Sequence, residues 1–268
     1  CTYCTDLTSI PVLPNLEELY CSYCKALTSI PVLPKLETLN CTNCTSLTSI
    51  PVLPKLEELD CWRCTSLTSI PVMPELQILD CAGCTSLTSI PVLPKLKELD
   101  CISCENLTNI SLLPELEELI CNSCTSLTSI PQLSKLKELY CSGCTRLTTV
   151  PILPKLEKLI CTSCTSLTSI PVMGELKYLD CVFCRSLTSI PVVGELYCAS
   201  CKWLDKCSDY DGNIKALRIC QAIFKRKLTA RKLETAIPVI TEIYYSPGCK
   251  GAYLAQRAFS TKIALEIK

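Results

Sequence analysis

From Cys1 to about Gly194 the chain returns to one pattern every 20 residues. Leu36, Leu39, Cys41, Cys44, Leu47, Ile50 and Leu53 come back as Leu56, Leu59, Cys61, Cys64, Leu67, Ile70 and Met73. A fixed period of this kind restricts the fold to stacked units, because one unit alone is too thin to bury its own apolar side. The spacing within the unit suggests its shape. Alternation at Leu39 and Cys41 predicts a short strand, about residues 38–42, with 38, 40 and 42 facing outward. The chain then turns inward at Cys44, Leu47, Ile50 and Leu53. Pro51 and Pro54 fix φ and remove two N–H donors, so the return leg should be extended and polyproline-like, not helical. About ten such coils at ~4.8 Å spacing would make a rod on the order of 50 Å long.

Written out, the unit is L-x-x-L-x-C-x-x-C-x-x-L followed by x-x-I-P-x-L-P. This resembles the leucine-rich repeat, with Cys at the sixth position (usually Leu or Val) and at the ninth (usually Asn or Cys). The stretch "LTSIPVLPKLEELD" is similar to the 20-residue, double-proline repeats of secreted effectors from Gram-negative pathogens. Together with "IYYSPGCKGAYLAQRAF" at 243–259, the cysteine-rich unit also resembles leucine-rich-repeat proteins of giant DNA viruses of amoebae. The resemblance implies an α/β-type repeat solenoid. Short parallel strands would line a concave face, with an extended convex side and a helical C-terminal cap. The expected division is 1–204 for the solenoid and 205–268 for the cap. The effector family often carries a ubiquitin-ligase domain of several hundred residues, for which the segment after Leu204 is too short. The chain opens inside a repeat without an initiator Met, so further repeats are expected upstream.

Composition bears on chemistry mainly through what is missing. There are 25 cysteines and no histidine. That removes Ser-His-Asp and Cys-His catalysis, and every His-containing metal site. No phosphate loop or carboxylate dyad rises above the repeat, so no catalytic residue and no cofactor is expected. Charge is divided: residues 1–200 carry 13 Lys/Arg against 20 Asp/Glu, and residues 201–268 carry 13 against 6. No apolar run is long enough to span a membrane and no secretory signal is visible. The resemblance to effectors and giant-virus proteins implies a place inside a cell, in a host cytoplasm or a virion, and a reducing cytoplasm agrees with buried free thiols.

The cysteine pairs need separate weighing. C-x2-C followed by a second C-x2-C is a zinc signature in isolation. Here it recurs in register with the leucines, at Cys41, Cys44, Cys61, Cys64, Cys81, Cys84, Cys101, Cys104, Cys121, Cys124, Cys141, Cys144, Cys161 and Cys164. Cysteine is a small hydrophobe with a weak S–H donor, so a buried packing ladder is expected. The ninth-position thiol should bond the turn backbone of the next coil. Disulfides between equivalent cysteines are disfavoured, because stacked Cβ vectors run parallel. Ionising so many core thiols would be costly without a metal at every pair. Cys198, Cys201 and Cys207 leave the register and are the weakest-excluded metal candidates.

The residues that vary from copy to copy sit at the outward strand positions. The expected binding face comprises Glu58, Asp60, Trp62, Arg63, Ile78, Asp80, Glu98, Asp100, Glu118, Ile120, Glu138, Tyr140, Ile160, Tyr178, Asp180 and Phe183. It joins an acidic centre to an apolar flank at Ile120, Ile160, Tyr178 and Phe183. Stacked strand positions form the binding surfaces of repeat proteins, and exposed aromatics make good anchors. A non-catalytic scaffold that binds a protein, preferably a basic one, and disfavours nucleic acid is therefore expected. The alternatives are a structural rod packed in a virion or other assembly, and a metal- or redox-active C-x-x-C protein. Thr48 and Ser49 with their copies form another rank, read as turn hydroxyls bonding backbone.

Overall fold

The structure, a computed structural model, describes residues 1–198 except 189 and 192. Ten three-residue strands form one parallel sheet: β1 (Glu18–Tyr20), β2 (Thr38–Asn40), β3 (Glu58–Asp60), β4 (Ile78–Asp80), β6 (Glu98–Asp100), β8 (Glu118–Ile120), β9 (Glu138–Tyr140), β10 (Lys158–Ile160), β11 (Tyr178–Asp180) and β12 (Glu195–Tyr197). Each pairs only with the copies before and after it, in register at i+20 (Thr38 opposite Glu58, Leu39 opposite Leu59). The last pair breaks the count: Tyr178 lies opposite Glu195, because the final coil is three residues short. The described residues are thus a parallel-strand solenoid. The helical cap expected over 205–268, and with it Cys201 and Cys207, lies outside the described residues.

Three tight turns make each coil close on itself. Cys44 N–H bonds Cys41 C=O at 3.2 Å, Leu47 N–H bonds Cys44 C=O at 3.0 Å, and Leu56 N–H bonds Leu53 C=O at 3.2 Å. Pro54 occupies the second position of the last turn, where its fixed φ fits. In the first turn the third position must take positive φ, and it does so in coil after coil: Asn43 at 58°, Arg63 at 56°, Gly83 at 72°, Ser103 at 56° and Phe183 at 62°. Only two described copies, Gly83 and Gly143, use glycine there. The strain at the others, of order 1–2 kcal/mol for an L-residue, is offset by bonds between coils, such as Asn43 N–H to Trp62 C=O at 2.6 Å and Arg63 N–H to Ala82 C=O at 2.8 Å.

That turn corrects the expected strand. The extended segment ends at residue 40 rather than 42, because the chain bends into the positive-φ turn at 42–43. Trp62, Ile102 and Val182 therefore belong to turns at the margin of the sheet, not to a third strand column.

The core is a set of apolar columns. Leu39, Cys41, Cys44, Leu47, Leu53 and Leu56 are fully buried, as are their copies through the central coils. The return leg has no helix, but it is not bare polyproline either. β5 (Ser89–Ile90) and β7 (Asn109–Ile110) pair in parallel, and isolated bridges join Ser29 to Ser49 and Thr149 to Ser129 and Ser169. The Thr-Ser rank is therefore a fragmentary second ladder instead of a turn. Its threonine hydroxyls donate to the coil before, as from Thr108 to Thr88 C=O at 3.1 Å.

Candidate interaction surface

Alternation leaves the middle residue of each strand in the core and turns its two neighbours out. The sheet thus presents two parallel columns. One runs Glu18, Thr38, Glu58, Ile78, Glu98, Glu118, Glu138, Lys158, Tyr178, Glu195, and the other Tyr20, Asn40, Asp60, Asp80, Asp100, Ile120, Tyr140, Ile160, Asp180, Tyr197. Of the residues expected on the face, all but three lie in these columns. Trp62, Arg63 and Phe183 sit on the adjoining turns, where the Arg63 guanidinium stacks 4.5 Å from the Trp62 ring.

From β3 to β8 the columns hold six carboxylates and no cation. Asp60, Asp80 and Asp100 are direct neighbours in register, as are Glu98, Glu118 and Glu138. The aspartates also do structural work that the sequence reading did not anticipate. Asp60, Asp80, Asp100 and Asp180 each accept, through Oδ1, the N–H two residues on (Trp62 at 3.0 Å, Ala82 and Ile102 at 2.9 Å, Val182 at 3.2 Å). They are side-chain turns that cap the positive-φ bend. Asp60 is further engaged by Thr42 Oγ1 at 2.8 Å and Asn40 Nδ2 at 2.9 Å, and Asp180 by Thr162 Oγ1 at 3.0 Å. The Asp80 and Asp100 carboxylates have the one bond each, while the Glu58, Glu98 and Glu118 carboxylates make neither hydrogen bond nor ion pair with a described residue. Partial burial raises the Asp80 carboxyl above its ordinary pKa, and Asp100 and Asp60 add to this. Burial raises Asp100 likewise, and burial with Glu138 and Glu98 raises Glu118.

From β9 to β12 the chemistry changes. Lys158 Nζ donates to Tyr140 Oη at 2.9 Å, lies 3.7 Å from Glu138 Oε2, and sits 4.9 Å and 5.8 Å from the Tyr140 and Tyr178 ring centres. Tyr140 in turn donates to Glu138. Tyr178 and Tyr197 meet as tilted rings 5.5 Å apart. Ile120 and Ile160 lie beside this group in the second column. Lys158, an outward strand position in the repeat pattern, is not among the expected binding residues, and neither is Tyr197. Tyr197 was hidden by the short final coil: only aligning Glu195–Tyr197 with Tyr178–Asp180 reveals it.

The cysteines face the other way. Every cysteine from Cys21 to Cys184 is fully buried, and those from Cys21 to Cys164, with Cys184, carry free thiols. The ninth-position thiol bonds the coil before it, not the next one as expected: Cys64 Sγ reaches Cys41 C=O and Cys104 Sγ reaches Cys81 C=O, both at 3.1 Å. This carries each ninth-position sulfur toward the sixth-position thiol of the preceding coil, so the neighbouring sulfurs are non-equivalent. The adjacent thiol and burial together push Cys41, Cys81 and Cys121 far above the ordinary thiol range. Among the described residues no cluster is arranged to hold a metal ion. Cys198 is buried at the end of the stack.

A further rank went unnoticed in the sequence. Val32, Val52, Val72, Val92, Leu112, Ile152 and Val172 stand on the return leg, half to four-fifths exposed.

One core residue per strand, register at twenty residues and a buried thiol at the ninth position define a parallel-strand repeat solenoid. Residues 14–55 match the family model described as Leucine Rich repeats (2 copies), and the same unit continues through the described coils. Over those residues the chain is similar to leucine-rich-repeat proteins. Repeats of this class generally mediate protein–protein interaction and are typically non-catalytic scaffolds. No curated protein matches the chain. No helix among the described residues is long and apolar enough to cross a membrane.

Proposed function

We propose that this protein is a non-catalytic adaptor that binds a protein partner across the outer face of its ten-stranded sheet. The observation that carries the reading is the contrast between core and face. The inward positions repeat almost without change, whereas the two outward columns hold charge, tyrosine and isoleucine in a non-repeating order. The fold needs little from those columns: Tyr20, Ile120 and Ile160 occupy the same place as Asp80. The carboxylates favour a basic partner and disfavour nucleic acid. Resemblance to bacterial effector repeats and giant-virus proteins supports an adaptor directed at a host protein inside the cell.

The test is capture from cell lysate by the wild-type chain and by a variant carrying Asp80→Asn, Asp100→Asn and Tyr178→Ala, with bound proteins identified by mass spectrometry. Asparagine keeps the turn acceptor, as Asn40 shows by accepting Thr42 N–H at 3.1 Å. A protein held by the wild type and lost by the variant supports the reading; identical captured sets refute it.

A further inference from the structure

Resting on that reading, we infer that the partner segment is two-part: a Lys/Arg-rich stretch over β3 to β8 joined to a large apolar or aromatic anchor on the Tyr140–Lys158–Tyr178–Tyr197 platform.

Charge complementarity argues for the first part. The aspartate turn uses an oxygen acceptor and not a charge, because Asn40 performs the same bond. Negative charge at Asp80 and Asp100 is therefore surplus to the fold. It also works against the fold, since like charges set directly opposite each other on neighbouring strands repel. Glu58, Glu98 and Glu118 add to it with no cation in either column before Lys158. A cationic segment laid along the sheet relieves that repulsion.

The second part follows from how the other stretch is already satisfied. Glu138 and Lys158 neutralise each other, and the Tyr140 hydroxyl is bonded on both sides. What remains for a partner is ring surface, held in place by Lys158 between Tyr140 and Tyr178 and by Tyr197 against Tyr178. Pre-ordered tyrosines beside Ile160 are the kind of site that takes an anchor at low entropic cost. The Lys158 ammonium also repels a basic stretch from this end, which gives the segment a polarity. Asp100 and Tyr178 are four strands apart in the sheet. That is ~19 Å at 4.8 Å per strand, or about six residues of extended chain.

The probe is a fluorescent peptide with a lysine tetrad, a short Gly-Ser spacer and a terminal tryptophan about six residues from the lysines. Two controls replace either the tryptophan by glycine or the lysines by serine. Binding to the full chain is followed by anisotropy at several salt concentrations. The two-part peptide should bind on the order of tenfold more tightly than either control. Asp80→Asn with Asp100→Asn should weaken it several-fold and flatten its salt dependence. Tyr178→Ala, or Tyr197→Ala as an independent variant, should weaken it about tenfold with the salt slope unchanged. Equal affinity for the peptide and its tryptophan-less control overturns the inference, even if the lysate experiment yields a partner lost on the face variant. So does zero-length carbodiimide cross-linking of Glu98 or Glu118 to lysines of 201–268 in the same chain, which would make the chain's own basic segment the occupant.

Discussion

The sheet from β3 to β8 and the sheet from β9 to β12 share one backbone, one core and one hydrogen-bond ladder, and differ almost entirely in what they turn outward. The first leaves carboxylates stacked against carboxylates, with Asp80, Asp100 and Glu118 raised in pKa. The second ties a carboxylate, a lysine and three tyrosines into a closed network. Identical scaffolding beneath both shows that stability here resides in the coil interior, and that outer positions can be strained or satisfied without changing the fold. A solenoid permits this because each coil is held by its neighbours through columns of buried Leu and Cys, independently of the face.

The strongest challenge to that view is a pair of core truncations. Leu99→Ala under the acidic stretch and Leu159→Ala under the aromatic one remove equally buried side chains. Each should destabilise the full chain by about 2–5 kcal/mol, with similar losses in urea denaturation. A much larger loss at one site would mean that the two stretches differ below the surface as well.

Next in size, Tyr178→Ala removes the ring that contacts both Lys158 and Tyr197 and should cost about 1–2 kcal/mol, read from the same denaturation curves. Asp80→Asn, by contrast, should leave stability unchanged or slightly improved, since the acceptor stays and the repulsion goes. Clear destabilisation by Asp80→Asn would show that its charge serves the fold.

Relief of backbone strain gives an effect of about 0.5–1 kcal/mol. Ser103 holds positive φ in the acidic stretch, and Ser163 in the aromatic one. Replacing either with Gly should raise the melting temperature by a similar amount, because the turn is common to both stretches.

The smallest effect is a pH dependence confined to one stretch. Asp80, Asp100 and Glu118 have raised pKa values in the fold, so the folded state holds more protons than the unfolded one as pH rises past the ordinary carboxylate range. Their contribution is most favourable below that range and falls as pH rises through the raised values. Glu117 and Glu157, held down first by hydrogen bonds from Lys137 and Lys177, act with the opposite sign on another surface. The variant Asp80→Asn, Asp100→Asn, Glu118→Gln should therefore gain on the wild type as pH is raised from 4 to 7 in paired melting curves. A difference that does not change with pH would remove the electrostatic distinction between the stretches.

The sequence by itself determined the coil. A period of twenty residues, apolar positions at fixed spacing and prolines on the return leg leave a stacked solenoid as the arrangement that buries every Leu and Cys at once. Two cysteines per unit in step with the leucines were legible as core for the same reason. Tertiary structure decided what depends on the relation between coils. It ended the strand at residue 40, because the bend needs positive φ at 43 and takes its bonds from the next coil. It turned Asp80 and Asp100 into turn acceptors and sent the Cys64 thiol back to the coil before. It also gathered Lys158 and Tyr197 onto the platform that Tyr140 and Tyr178 begin. The period showed which residues stack, but the direction in which a side chain reaches across the gap is set by packing between neighbouring coils, which a pattern along one strand does not contain.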